Sequence, residues 1–174
     1  MGSTLTVDNI VGATTAGTVK MPAGHVIQTV QFTRLGVHGG ASPSGNVSAN
    51  SSTFVDIMSK AITTKVANSK ILVTMRCIAL VSGGNNSTRG ESKVFRNATL
   101  IGGDTYAWYG ANLTMLSHNV SFLDAPSVGA GTALTYKLQG NSGTGTMIYM
   151  YSDSGGASFN DITLMEIVQW ALYS

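Results

Sequence analysis

Charge is scarce in this chain. Asp, Glu, Lys and Arg together make up 10% of its 174 residues, against roughly 25% in ordinary soluble domains. The ten Lys and Arg residues are scattered from Lys20 to Lys137, and the net charge is +2. Binding to a phosphate backbone, or to an anionic membrane surface, takes cations grouped on one patch. This distribution gives neither a nucleic-acid footprint nor a membrane-docking cluster. Cysteine is equally sparse: Cys77 is alone, so one chain can form no internal disulfide and no thiolate metal site. It falls in the apolar run from Ile71 to Val81 and reads as a small buried hydrophobe.

Other absences narrow the chemistry. The three histidines, His25, His38 and His118, show no H-x-x-x-H or H-x-H spacing, so no metal site is expected from local sequence. No G-x-S-x-G elbow, phosphate-binding loop, dinucleotide fingerprint or EF-hand loop occurs. The carboxylates at Asp8, Asp56, Glu91, Asp104, Asp124, Asp153, Asp161 and Glu166 are dispersed, and no pair is specified by spacing as an acid/base couple for glycoside hydrolysis. The expectation is a protein that is not an enzyme and carries no cofactor. The N-terminus has no basic region followed by an apolar stretch, which predicts synthesis in a cytoplasm without secretion. No apolar run approaches the roughly 20 residues of a membrane-spanning helix. Seven Asn-x-Ser/Thr triplets, beginning at Asn46, Asn50, Asn85, Asn86, Asn97, Asn112 and Asn119, read as a product of composition in such a setting.

What the chain does contain is two-residue alternation. In Lys70–Val81, the residues Ile71, Val73, Met75, Cys77, Ala79 and Val81 form an unbroken apolar set, with Thr74 and Arg76 on the other face. That is the pattern of a central strand with a fixed core face. Thr132–Gln139 alternates as cleanly, with Leu134, Tyr136 and Leu138 on one side. Further strands are expected at His25–Thr33, from Thr53 to Ile57, near Ser92–Ile101 with a halt at Gly102-Gly103-Asp104, at Tyr106–Tyr109, within Leu113–Phe122, at Thr146–Tyr151 and from Asp161 to Trp170. The strands either side of the Gly/Asn segment 82–90 are expected to be neighbours in one sheet. No run of ten residues has helical periodicity. Roughly eight strands joined by Gly-rich turns predict an all-β, jelly-roll-like sandwich.

The two ends of the chain differ. Residues 1–24 carry Leu5, Val7, Ile10 and Val11 among Gly, Thr and Ala, too little apolar area to offset the entropy of ordering the segment alone. They read as an N-terminal arm that attaches through these four residues, ahead of a head domain over 25–174. Residues 36–52 form a long Gly/Ser/Asn stretch, a candidate binding loop. Candidate surface-binding residues are His38 and Asn86 in the loops, and Tyr106, Trp108 and Tyr109, an aromatic group divided between core packing and contact with sugars or a partner. Glu166 shares a strand face with Leu164 and Val168 and is expected to form a structural ion pair with a cation such as Arg76, or to lie at an interface.

Two parts of the chain carry a resemblance. The leader STLTVDNIVGATTAGTVKMPAGHVIQTVQ resembles the N-terminal modules of small tail-fibre and virion structural proteins of tailed bacteriophages infecting cyanobacterial and marine hosts. Their modules run from S-T-L-x-V-D-x-I to P-x-G-x-V-I-Q. The stretches Phe122-Leu123-Asp124-Ala125-Pro126, Leu134–Gln139 and Ile162–Ile167 are similar to the end of the C-terminal head of such proteins. Many relatives carry a long shaft between leader and head, whereas here Gln31 leads straight into the head. The resemblance implies a homotrimer with a jelly-roll head on the outside of a phage particle, joined to other virion proteins through its arm. Such a head serves as a tail-fibre tip recognising a host-surface glycan, or as a decoration protein that cements the capsid. Apart from the resemblance, the aromatic group and the polar loops also fit a lectin-like carbohydrate-binding domain.

Overall fold

A computed structural model describes residues 24–35, 47–50, 52–82, 88–111, 114–143, 145–150 and 159–168. Among these there is no helix. Ten strands follow one another: β1 Val26–Leu35, β2 Val47–Ala49, β3 Val55–Thr63, β4 Lys70–Ser82, β5 Thr88–Arg96, β6 Thr99–Gly110, β7 Met115–Asp124, β8 Ala133–Gly140, β9 Thr146–Tyr149 and β10 Phe159–Ile167. They form two antiparallel sheets. In one, β1 pairs β10, β10 pairs β4, and β4 pairs β7; β9 lies beyond β10 on the same edge of β4 and carries β2. The other has the order β3-β8-β5-β6.

The pairing is nested. β5 pairs β6, β4 pairs β7, β3 pairs β8 and β1 pairs β10. The chain is therefore one long hairpin whose eight main strands have rolled into two facing sheets, a jelly-roll-like β-sandwich. β2 and β9 are additions at one margin. Alternation selects this arrangement, because each strand must bury one face only. Ile71, Val73, Met75, Cys77, Ala79 and Val81 of β4 are all 0% exposed, as are Tyr136 and Leu138 of β8 and Ile162 and Leu164 of β10. Cys77 is the small core hydrophobe its setting predicts, and burial pushes its thiol up to about 12.

Three sequence expectations are corrected. The strands flanking segment 82–90 are not neighbours, since β4 and β5 lie in opposite sheets. The chain crosses there because β5 turns its own small residues, Thr88, Gly90, Ser92 and Val94, into the core opposite β4. The expected halt at Gly102-Gly103-Asp104 is not a turn. The reversal comes earlier, at Asn97-Ala98, where Asn97 takes a left-handed φ of 52°, a conformation Asn tolerates better than most residues. β6 then runs unbroken through both glycines, with register shifts against β5 at Gly90/Ser92 and Val94/Phe95. A side chain at Gly103 would place its Cβ 2.5 Å from the Ser92 carbonyl oxygen, so glycine here serves a close strand approach. Finally, Val47–Ala49 forms a short strand inside the stretch read as a loop.

The strand directions give the sandwich two distinct ends. One end holds Gly24 and Val168, whose N–H groups donate to Val168 O and His25 O at 2.9 and 3.0 Å, together with the turns 64–69, 97–98 and 125–132. Two polar clusters fix this end. Glu166, 0% exposed, is not paired with Arg76, which is exposed on the opposite face of the sheet. Its carboxylate instead accepts from Lys65 N at 2.9 Å, Val66 N at 3.1 Å, Ser69 Oγ at 2.6 Å and Gln28 Nε2. The expected ion pair fails because the 64–69 turn brings backbone donors that no local spacing announces. Burial alone would raise the acid's pKa, but these hydrogen bonds outweigh it and hold the carboxyl below its ordinary value of 4.5. In the second cluster Arg96 Nη1 donates to both Asp124 oxygens at 2.7 and 2.8 Å and Tyr136 Oη donates to Asp124 Oδ2 at 2.6 Å, tying β7 of one sheet to β5 and β8 of the other.

A group whose folded pKa is depressed contributes stability that is fully present above its unfolded value and is lost as pH falls through the folded one. The unfolding midpoint in urea should therefore drop in the wild type as pH falls below about 4.5, and the drop should be shallower in Glu166→Gln. Glu166→Ala, which orphans two backbone N–H groups, is expected to cost about 3 kcal/mol at neutral pH.

Candidate functional site

Several strands of both sheets end at the opposite end of the sandwich. The described residues flanking segments 36–46, 83–87 and 151–158 are Leu35, Val47, Ser82, Thr88, Met150 and Phe159. All lie toward the end remote from Gly24 and Val168, as the registers Leu35↔Phe159, Ser82↔Thr146 and Thr88↔Gly110 require. The turn between β6 and β7 is at this end as well. His38 and Asn86 fall within two of those segments, outside the described residues, as do the arm residues Leu5, Val7, Ile10 and Val11.

The aromatic trio is split by the two-residue period of β6. Trp108 is 1% exposed and belongs to the core, whereas Tyr109 is 56% exposed; the side chain of Tyr106 lies outside the described residues. The surface reading of Trp108 is therefore corrected: it faces Gly90 across the strand pair, where a Cβ would come within 3.1 Å of its ring, so glycine makes room for the indole. Its ring lies 4.9 Å from those of His118 and Tyr149, tilted 60° to each. His118 Nε2 is 3.2 Å from Ser92 Oγ, which accepts from the Asp104 N–H at 3.2 Å. Burial lowers the pKa of His118, against a smaller opposing pull from the Asp104 carboxylate, and favours the neutral imidazole. Burial likewise raises the Tyr149 hydroxyl, which donates to Asn141 O. Trp108 Nε1 and Thr88 Oγ1 are buried without a hydrogen-bond partner. This is a packed aromatic cluster with polar edges, and its groups are turned inward.

On the outer side of the same strand pair lies an open groove of about 440 Å³, lined by Phe54, Glu91, Lys93, Leu100, Gly102, Gly103 and Asp104 among others. The Lys93 ammonium sits 3.9 Å from the centroid of the Phe54 ring, a favourable cation–π distance. Leu100 is 53% exposed. Nearby on the same sheet face Gln139 Nε2 donates to Asp56 Oδ1 at 2.6 Å and Lys137 lies 3.1 Å from that carboxylate. The Gln139 hydrogen bond, with help from Lys137 and against slight burial, lowers the Asp56 pKa. Local sequence spacing gave no sign that Glu91 and Asp104 would meet in one groove, because only the β5–β6 register brings them together. Among the described residues, no cluster of three or more His, Cys, Asp or Glu can hold a metal ion. The groove offers apolar contact, hydrogen bonding and mixed charge, and Ser92, whose hydroxyl meets His118 Nε2, also lines it.

No family model matches the chain, and no curated protein matches it. Among solved structures it is similar to a chain in the structure of infectious bursal disease virus, Gx strain, at 9% identity and a TM-score of 0.42. The match covers 99% of this chain and 37% of that one, so the chain spans little over a third of the viral protein's length. A likeness this distant bears on neither function nor partners.

The split of the aromatic group has a direct test. Trp108→Ala should lower unfolding stability by about 4 kcal/mol, while Tyr109→Ala should change it by less than about 1 kcal/mol, both read from urea denaturation.

Proposed function

We propose that the chain is a non-enzymatic bacteriophage virion structural protein: an attachment arm over residues 1–24 carrying a jelly-roll head displayed on the particle exterior. One observation supports this above the others. Gly24, where the arm joins, lies at one end of the sandwich, and the residues flanking the polar segments that hold His38 and Asn86 lie at the other. A head held by one end presents the other to its surroundings. The leader's resemblance to phage fibre modules supports the same reading, and the resemblance carries with it assembly into a homotrimer. Jelly rolls occur in capsid and lectin domains alike, so the fold by itself assigns no role.

As the tip of a short tail fibre, the head recognises a host surface through the loop end. As a capsid decoration protein, it reinforces the head of the particle through the arm. Either way it is made in the host cytoplasm and carried in the virion. The lectin-like alternative draws on the groove at Phe54, Leu100, Glu91 and Asp104, whose mixture of apolar walls and carboxylates suits a saccharide.

Substitutions at His38 and Asn86 should abolish adsorption to host cells while particles assemble with normal yield. Deleting residues 2–24 should instead release the protein from particles. If the loop substitutions leave adsorption intact and the deletion yields heads that rupture on mild heating, the tip role is overturned and the cement role stands.

A further inference from the structure

The outer face of the β7-β4-β10-β1 sheet is laid out in rows by its register. One row reads Leu123, Leu72, Met165, Thr29; the next Ser121, Thr74, Thr163, Gln31; the third Asn119, Arg76, Asp161, Thr33. Leu123 is 50% exposed, Arg76 is exposed, and Leu72, Met165 and Asp161 are half-buried. Lys70 lies at the rim, next to Ile167. Inside that rim, Arg76 and Asp161 are the only charged side chains among the described residues of the face. They are of opposite sign and are direct cross-strand neighbours, yet no ion pair within 4 Å joins them among the described residues.

A two-fold axis lying over this face, parallel to the strands and between β4 and β10, sets β4 of one copy on β10 of the other. Each residue of β4 then meets the counterpart of its own cross-strand neighbour. Leu72 falls on Met165, Thr74 on Thr163 and Arg76 on Asp161, each twice by symmetry. Apolar meets apolar, hydroxyl meets hydroxyl, and the two charges each meet their opposite. A like-charged pair at row three would forbid the arrangement; the observed pair favours it. Facing sheets pack with their strands roughly aligned, which the axis preserves, and both copies keep Gly24 at the same end and their loops at the other.

From this charge and polarity matching we infer that a second copy of this chain docks on the outer face of the β7-β4-β10-β1 sheet about a strand-parallel two-fold axis, with reciprocal Arg76–Asp161 ion pairs at its centre. The contact rests on its own geometry and does not depend on the virion reading. It pairs heads whether they are otherwise single or already joined in threes.

The test is the molar mass of the full-length protein by light scattering during size-exclusion chromatography, across a dilution series. The wild type should contain an even number of chains, two or six. Arg76→Glu and Asp161→Arg should each halve the mass and weaken self-association on the order of 100-fold. An equimolar mixture of the two variants should recover the wild-type mass. In the mixed pair the new carboxylate at position 76 of one chain meets the new guanidinium at position 161 of the other, and the unaltered Asp161 meets the unaltered Arg76. Failure of the mixture to recover, a mass unmoved by either substitution, or a wild type of one or three chains would overturn the inference. Adsorption of particles carrying the His38 and Asn86 substitutions reads the virion proposal separately.

Discussion

The closing of the first strand on the last holds the architecture together. β1 and β10 pair along their length, from Val26↔Ile167 to Leu35↔Phe159, and the other eight strands lie between them in the chain. Inner pairs such as β5 and β6 need only a two-residue turn, whereas this pair requires the whole roll to be in place. Its hydrogen bonds thus report on the entire sandwich. Contacts so distant in sequence carry the largest loop-closure cost and are formed late in most pictures of β folding.

Polar groups guard that closure. Glu166 is the penultimate residue of β10, and its carboxylate gathers Gln28 from β1 with Lys65, Val66 and Ser69 from the turn between β3 and β4. A buried carboxylate in the core's margin is costly unless every lone pair is used. Here the backbone of another segment supplies the donors, so the acid fixes the approach of that turn to the β1–β10 pair. Arg96, Asp124 and Tyr136 do the same between the sheets. Both clusters stand at the end that holds Gly24 and Val168.

Period-two patterning made much of this legible in the amino-acid order. The Ile71–Val81 set was readable because its apolar face is unbroken and its other face is polar, and Leu134, Tyr136 and Leu138 were readable for the same reason. The β5–β6 turn was not, because Gly102-Gly103 looks more like a turn than Asn97-Ala98 does, and only the close approach to Ser92 explains Gly103. β2 was missed because three residues bounded by asparagines carry too little pattern, its strand character coming from pairing with β9. The same alternation, applied to β6, would have separated Trp108 from Tyr109. The partners of Glu166 and the groove joining Glu91 to Asp104 were beyond reach, since both are made by register between segments far apart in the chain. His38, Asn86 and residues 1–23 fall outside the described residues.

Placing Gly24 at one end of the sandwich and Leu35 and Phe159 toward the other also decides how the fold bears force. A pull between Gly24 and Phe159 runs along the strands, so the β1–β10 ladder is loaded in shear and its hydrogen bonds share the load. A pull between Gly24 and Val168 would act at the shared end of that same pair and open it one bond at a time. The fold is therefore mechanically directional: stiff along its strands, and easily peeled from the end where Gly24 meets Val168.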